Sequence, residues 1–122
     1  MKIGITSTGE DLNAEIDQRF GRCRYFLLVD IETMEFEVVS NENAMASGGA
    51  GIQAAQTIAN KGVEAILTGN VGPNAFQTLS AAGIKVYTGA SGKIIDAIDK
   101  YKKGEFNKTE GPNVGSHSGM RR

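Results

Sequence analysis

The chain has a single cysteine, Cys23, which lies between Arg22 and Arg24 at the start of an apolar segment. Positive charge close to a thiol lowers its pKa and favours the thiolate, which is the form that binds a metal ion. Free cysteine is also among the most buried residue types, where it acts as a small hydrophobic side chain. The sequence therefore predicts either a soft metal ligand in a positively charged loop or a core residue at Cys23.

Other groups that could do catalysis are few. The single histidine, His117, lies near the end of the chain, where no neighbouring group orients it, so a Ser–His or Cys–His nucleophile is disfavoured. The carboxylates of Asp11, Glu15 and Asp17 match the spacing of no defined calcium loop, and we interpret them as a solvated acidic loop. We therefore expect a protein that is not an enzyme.

The composition is that of one globular domain. The chain has 122 residues, of which 40% are hydrophobic and 22% are charged, with 13 Lys and Arg against 14 Asp and Glu. This balance provides no general attraction to nucleic acid or to an anionic membrane. Because one cysteine allows no disulfide within the chain, and no apolar run is long enough to span a bilayer, we expect a cytoplasmic location.

Five segments have the patterns of β-strands: residues 2–7, 23–30, 34–40, 63–68 and 84–88. The second is apolar from Tyr25 to Val29, which is typical of a strand covered on both faces. The third alternates Phe36 and Val38 with glutamates, which indicates a strand with one wet face near a sheet edge.

Three later segments space their apolar residues as helices do. The first includes Ile52 and ends before Gly62, and the second begins at Pro73 and ends at Gly83. The third follows Ser91, whose hydroxyl we expect to cap the first turn.

This periodicity ends at about residue 102. We therefore predict one α/β domain over residues 1–101 and a flexible C-terminal tail, rich in glycine and lysine, over residues 102–122. The order β-β-β-α-β-α-β-α predicts a three-layer fold with a five-stranded mixed sheet of order 3-2-1-4-5. Strand 2 would be antiparallel to the rest, and helices would cover both faces.

The predicted topology brings four loops to one edge of the sheet, outside the carboxyl ends of its strands, where open α/β sheets bind ligands. Three of these loops lead into helices, whose N-terminal amides attract anions, and their glycines let a ligand approach the backbone. Arginines of the first loop add positive charge. We therefore predict an anion-binding crevice formed by Arg19, Phe20, Gly21, Arg22, Cys23, Ser47, Gly48, Gly49, Gly51, Gly69, Asn70, Gly72, Gly89 and Ser91.

The same crevice would suit a phosphorylated metabolite or nucleotide, bound by a regulatory module. A Rossmann dinucleotide site is excluded, however. The sequence GAGIQA at 49–54 resembles a shortened fingerprint, but it follows a long loop, and the next strand ends in Thr68, Gly69 and Asn70 without an acidic residue to hold a ribose. On these grounds the identity of the anion stays open.

Three stretches carry a family resemblance: IDQRFGRCRYF at 16–26, SGGAGIQAAQ at 47–56 and LTGNVGPNAFQTLSAAGIKVY at 67–87. Over roughly residues 1–101 the chain resembles the dinitrogenase iron–molybdenum cofactor biosynthesis family of nitrogenase accessory factors. The resemblance implies a ribonuclease-H-like fold and a carrier that binds an iron–sulfur cluster or an iron–molybdenum cofactor precursor. Its partners would be proteins that assemble or receive the metallocluster, and we expect a monomer or a weak homodimer.

One difference from the family concerns metal binding. Many relatives have histidine immediately before the Phe–Gly pair, where this chain has Arg19, and alanine where this chain has Cys23. The resemblance therefore implies that either Cys23 replaces that histidine as the metal ligand or the ligand is a different group. The glycine-rich tail, which is similar to tails of some relatives, adds His117 and Met120 as candidate soft ligands.

Overall fold

The computed structural model describes residues 1–41, 50–109 and 111. Its elements are β1 (Lys2–Ser7), β2 (Tyr25–Asp30), β3 (Phe36–Ser40), α1 (Ala50–Ala59), β4 (Ala65–Leu67), α2 (Pro73–Ala81), β5 (Lys85–Tyr87) and α3 (Ile94–Lys102). The strands form one sheet of order β3-β2-β1-β4-β5, with β2 antiparallel to both neighbours and β4 parallel to β1 and β5. The predicted strand order is confirmed, and the ribonuclease-H-like label stays a prediction.

Helices cover both faces of the sheet, as the sequence predicts. On one face Leu28 packs with Ile58 in a core that α1 and α2 close, and on the other Leu27 packs with Ile98 of α3. Successive residues of β2 point to opposite faces, so a strand buried on both sides must be apolar throughout. Within the described residues, no helix combines the length and apolarity needed to cross a membrane.

The two edges of the sheet differ. At one edge β3 exposes Phe36, which keeps 40% of its surface accessible. At the other edge Tyr87 of β5 pairs antiparallel with Lys108, and the amide of Thr109 donates a 2.7 Å hydrogen bond to the carbonyl of Val86. Residues 108–109, which the sequence assigns to the tail, thus supply partners for β5, because an edge strand otherwise leaves its backbone groups unpaired.

The register of the strands brings the functional loops together. Ser7 at the end of β1 lies opposite Tyr25 at the start of β2, and Tyr25 lies opposite Ser40 at the end of β3. Leu67 and Tyr87, the last residues of β4 and β5, are paired with each other. The loops that follow β1, β3, β4 and β5 therefore all leave the sheet at one edge, which we call the carboxyl edge.

Candidate functional site

A pocket opens at the carboxyl edge between the β1–β2 loop and the starts of α1 and α2. It has a volume of about 200 Å³ and is lined by Gly21, Gly51, Ile52, Gly72, Pro73, Asn74 and Ala75. The structure thus brings together three of the predicted site glycines, one from each of three separate segments. Backbone atoms form much of the wall because these glycines carry no side chains.

The pocket wall depends on close approach between backbones. A Cβ atom built on Gly21 would lie 2.9 Å from the Cα and 3.1 Å from the nitrogen of Gly51. One built on Gly51 would lie 3.3 Å from the Cβ of Ala75. Because the first of these contacts is with backbone, which cannot move aside as a flexible side chain can, the loop packs on α1 only if residue 21 is glycine.

The start of α2 leaves hydrogen-bond donors at the pocket. Its N-cap is Gly72, Pro73 occupies the first turn, and no side-chain hydrogen bond caps this end. The first bond of the helix runs from the amide of Phe76 to the carbonyl of Gly72, at 3.0 Å. Within the described residues, no acceptor bonds the amides of Asn74 and Ala75, which line the pocket. These donors and the positive end of the helix dipole favour an anion here.

The start of α3 is different, and the predicted role of Ser91 as its cap is wrong. The N-cap residue is Lys93, without a side-chain cap. The first two amides of the helix, at Ile94 and Ile95, instead donate to the carbonyls of Ala14 and Leu12, at 2.9 and 3.0 Å. Because the β1–β2 loop supplies these acceptors, the first two amides of α3 are not available to a ligand. Ser91 is simply exposed.

Three other predicted residues lie where the loops are joined to one another. The amide of Phe20 donates to the carbonyl of Asn70 at 3.2 Å, and the amide of Gly89 donates to the carbonyl of Gly69 at 3.0 Å. Gln18 packs against Gly69, where an added Cβ would lie 2.8 Å from the Cα of Gln18. Gly69, Asn70 and Gly89 therefore hold the carboxyl edge together beside the pocket.

Two predicted site residues, Phe20 and Cys23, belong to the hydrophobic core. They keep 2% and 0% of their surface exposed, and both pack in the cluster that α1 and α2 cover. The Phe20 ring lies 5.3 Å from the ring of Phe26, centroid to centroid, and the Cys23 thiol donates to the carbonyl of Phe20 at 3.3 Å. Of the two interpretations of Cys23, the structure agrees with the one that makes it a buried core side chain.

The electrostatic surroundings of Cys23 are also opposite to our expectation. Burial, together with the nearby carboxylate of Asp17, raises the pKa of its thiol from 9.0 to about 12. The expected low pKa is wrong because Arg22 and Arg24 lie at the surface while the sulfur points into the core. A thiol in this state stays protonated at neutral pH and is a poor metal ligand.

The arginines of the first loop contribute charge at the surface. The side chain of Arg19 is 66% exposed, and its Nε lies 3.4 Å from a carboxylate oxygen of the largely buried Asp17. Arg22 directly follows the pocket residue Gly21, and the Arg24 guanidinium lies 5.9 Å from the centre of the Tyr25 ring. Positive side chains therefore flank the loop that forms one wall of the pocket.

The described residues contain no group of three or more His, Cys, Asp or Glu side chains placed to hold a metal ion. Ser47, Gly48 and Gly49 of the predicted crevice, and the candidate ligands His117 and Met120, lie outside the described residues. What the described part of the site offers is a set of hydrogen-bond donors and positive charge, which suits an anion bound as a whole.

Residues 1–104 match the family model for the dinitrogenase iron–molybdenum cofactor. The chain belongs to this family. The match covers all the strands and helices, including the three segments that form the pocket, so the resemblance seen in the sequence is confirmed.

Solved structures and a curated protein are similar to this chain over most of its length. The apo form of the orange protein from Desulfovibrio gigas is 43% identical, with a TM-score of 0.89 over 92% of this chain and 95% of that one. A NifB-like protein from Thermotoga is 40% identical, with a TM-score of 0.77 over 88% of this chain and 91% of that one. An uncharacterized protein of Methanocaldococcus jannaschii is 35% identical over 101 residues, covering 80% of this chain and 86% of the relative.

The sequence analysis missed three polar residues that shape the site of this family member. Asp17 is buried rather than solvated, and its carboxylate accepts the amide of Arg19 at 3.0 Å, a short-range turn typical of Asp. The amide nitrogen of the Asn41 side chain donates to the carbonyls of Cys23 and Gly21, at 2.9 and 3.2 Å. The place of Asn41 directly after β3 could have indicated that it lies at the carboxyl edge. No local sequence pattern predicts that Gln18 packs on Gly69.

Proposed function

We propose that this family member is a non-catalytic carrier of an anionic metal–sulfur species, either an iron–sulfur cluster or an iron–molybdenum cofactor precursor. The species would bind at the carboxyl edge, in the pocket between Gly21, Gly51 and Gly72. The observation that carries the proposal is the start of α2, where no side chain caps the helix. Asn74 and Ala75, whose amides have no acceptor among the described residues, line a pocket walled by glycines.

In this proposal the cargo is held by hydrogen bonds and charge rather than by protein ligands to the metal. Sulfide atoms of such a cluster carry negative charge and accept hydrogen bonds, which matches backbone amides at a helix start. The Cys23 sulfur is fully buried, so a cluster in the pocket would not reach it without rearrangement of the loop. Exposed Arg19, Arg22 and Arg24 would balance the remaining charge.

The relatives support a bound group of this kind. The family model is named for the iron–molybdenum cofactor of dinitrogenase. The D. gigas relative is called the orange protein, a name that describes a coloured protein. Its structure is that of the apo form, from which a bound group is absent. Metal–sulfur species absorb visible light, so a cargo of this class would give this chain colour as well.

Binding without protein ligands suits a carrier. A cluster held by amides and guanidinium groups is released without breaking metal–protein bonds, so a recipient protein with thiolate ligands can take it. We therefore propose that the partners are metallocluster assembly or recipient proteins in the cytoplasm, that the chain performs no chemistry on its cargo, and that its fold is of the ribonuclease-H-like type.

The test is the metal and sulfide content of the protein purified without oxygen, followed by anaerobic incubation of the apo protein with ferrous iron and sulfide. We expect bound iron or molybdenum with sulfide, and a visible charge-transfer absorption that stays with the protein on gel filtration. Protein that carries neither metal nor sulfide, and that gains no absorption on incubation, would contradict the proposal.

A matched pair of variants identifies the pocket as the binding site. Gly72→Asp adds a carboxylate at the N-cap of α2, where it would occupy the free amides and repel an anion while supporting the helix. Gly72→Asn adds a neutral cap of nearly the same shape. We expect the Asp variant to lose most of the visible absorption at unchanged or slightly higher melting temperature, and the Asn variant to lose less.

A phosphorylated metabolite or nucleotide is the second candidate, because the same uncapped amides would bind phosphate oxygens. A thermal-shift survey of phosphate-bearing compounds separates the two candidates. A true ligand at about 100 times its Kd would stabilise the fold by about 2.7 kcal/mol, which is readily measured for a domain of this size. A large shift with one such compound, together with no metal in the purified protein, would favour the regulatory module.

A further inference from the structure

The outer side of β3 is an edge of the sheet that the carboxyl-edge site does not use. The opposite edge strand, β5, is paired with residues 108–109, whereas β3 ends the sheet and has no strand on its outer side among the described residues. Natural proteins protect such an edge with proline, charged side chains, especially lysine, a bulge or a very short strand. The five residues of β3 include no proline or lysine, and Glu37 is their one charged residue.

The hydrogen bonds of the β2–β3 hairpin show which backbone groups point outward. The amide of Asp30 donates to the carbonyl of Glu35 at 2.9 Å, and the amide of Asn41 donates to the carbonyl of Arg24 at 3.0 Å. Antiparallel strands alternate between bonded and non-bonded pairs, so odd-numbered residues of β3 bond to β2. The N–H and C=O groups of Phe36, Val38 and Ser40 therefore point away from the sheet.

We propose that β3 pairs antiparallel with β3 of a second copy of this chain, with Val38 opposite Val38. In this register Phe36 lies opposite Ser40 of the second copy, so every outward N–H and C=O of these residues meets a partner. A register shifted by two residues leaves one outward residue of each strand unpaired. The strand is thus self-complementary about Val38, as the interface of a symmetric dimer requires.

Side chains on both faces fit the same register. Phe36 is one of two large hydrophobic side chains left exposed among the described residues. It would lie diagonally across from Val38 of the second copy, within reach for packing. On the other face, Lys61 lies 3.5 Å from Glu37. The two copies of Glu37 would be diagonal neighbours, and the two copies of Lys61 would supply the opposite charge, so the junction is electrically balanced.

The dimer leaves the two carboxyl edges apart. Because β3 of one copy runs opposite to β3 of the other, the loops after Ser40 leave at opposite ends of a joined ten-stranded sheet. Each pocket would stay open and would bind its cargo alone, and the two Cys23 residues would not meet. This inference does not rest on the proposed function, and a failure of cluster binding in the test above would leave it intact.

Cysteine cross-linking of the full-length apo protein tests both the dimer and its register. Opposite residues of a bonded pair have Cα atoms about 5.5 Å apart, which a disulfide spans, so Val38→Cys should form a disulfide dimer under mild oxidation. Ser40→Cys alone is the matched control, because the two copies of residue 40 would be roughly 14 Å apart. A mixture of Phe36→Cys and Ser40→Cys proteins should cross-link to each other. Native Cys23 can remain because it is buried.

Sedimentation of the unmodified protein supplies a test without any substitution. A short strand–strand interface is small, so we expect a weak dimer that appears between about 20 µM and about 1 mM protein. A protein that is monomeric throughout this range would overturn the proposal. So would Val38→Cys cross-linking no faster than Ser40→Cys, or a mixture of the Phe36→Cys and Ser40→Cys proteins that forms no mixed disulfide.

Discussion

Two helix starts at the same edge of the sheet have opposite chemistry. The first amides of α3, at Ile94 and Ile95, donate to carbonyls of the β1–β2 loop, whereas the amides of Asn74 and Ala75 at the start of α2 meet no acceptor from the described chain. Both ends carry the same helix dipole. The β1–β2 loop occupies two of the donors at the start of α3, whereas both amides at the start of α2 stay available. A helix start at a carboxyl edge therefore indicates a ligand site only where the chain does not satisfy the amides itself.

The largest effect is expected from a substitution that disrupts the wall of the pocket at the start of α2. Gly21→Val would drive a branched side chain into the backbone of Gly51, so we expect a loss of about 1–3 kcal/mol in the free energy of unfolding and no visible absorption on reconstitution. Chemical denaturation measures the free energy of unfolding, and gel filtration after reconstitution shows whether visible absorption stays with the protein. Gly111→Val is the control, since a side chain at Gly111 meets nothing within 4 Å. Equal stability of the two variants would contradict the described packing.

The next largest effect is the pH dependence of stability, which tests whether the Cys23 thiol, in the core beneath α1 and α2, is buried and protonated. The Cys23 thiol has a pKa of about 12 in the folded protein against 9.0 normally. Between these two pH values the unfolded chain loses the thiol proton and the folded chain keeps it. The contribution of the thiol to the free energy of unfolding is therefore fully present below pH 9 and is lost as pH rises towards 12. The slope is at most about 1.4 kcal/mol per pH unit.

Urea denaturation between pH 8 and 10 measures this slope, with Cys23→Ala as the comparison. The pKa of Tyr101 is also raised, from 10.0 to about 12, so its loss of stability begins one unit higher and is shared by both proteins. We expect the unmodified protein to lose stability faster than Cys23→Ala between pH 9 and 10. Parallel curves would mean that the thiol is not buried as described.

A smaller effect is expected from the surface charge beside the pocket. Arg19→Gln removes an exposed cation that is only partly paired with Asp17. We expect the apparent affinity for the metal–sulfur species to fall about two- to fivefold at low salt and less at high salt. Titration at two ionic strengths measures this, with Lys85→Gln at the opposite end of the sheet as the charge-matched control. An equal loss in both variants would show only a general effect of net charge.

The smallest effect is expected on the α3 side. Ser91→Ala should change the free energy of unfolding by less than about 0.5 kcal/mol and leave reconstitution unchanged, because no hydroxyl caps this helix. An N-cap serine would cost about 1 kcal/mol on the same substitution. Thermal denaturation of the variant therefore distinguishes a helix start satisfied by loop carbonyls from one that depends on a side chain.

The sheet could be predicted from the sequence because its order follows from local patterns. The apolar run of β2 and the alternation of β3 place one inside and the other at an edge, and helices between the later strands require parallel pairing. Glycines after α1 and α2 likewise predict helix ends, and Gly62 and Gly83 do adopt positive φ values of 78°. These properties depend on neighbouring residues in the chain.

The site was predictable only in part because its details depend on contacts distant in sequence. The pocket glycines could be found from the topology, since Gly21, Gly51 and Gly72 follow the ends of different elements. No local pattern shows that carbonyls of Leu12 and Ala14 would satisfy α3. The burial of Cys23 has the same origin, because the direction of its side chain is fixed by how the loop folds back.

Because the β1–β2 loop caps α3, hydrogen exchange at the start of α3 can be used to follow the motion of that loop. Exchange of the Ile94 and Ile95 amide protons with deuterium requires their bonds to the carbonyls of Ala14 and Leu12 to open. Their exchange rates thus report how often the arginine-bearing loop lifts from the body of the protein, at positions in a helix on the other face of the sheet from α1 and α2. Slower exchange on loading would reveal that the loop tightens when the pocket fills, without a label or substitution near the site.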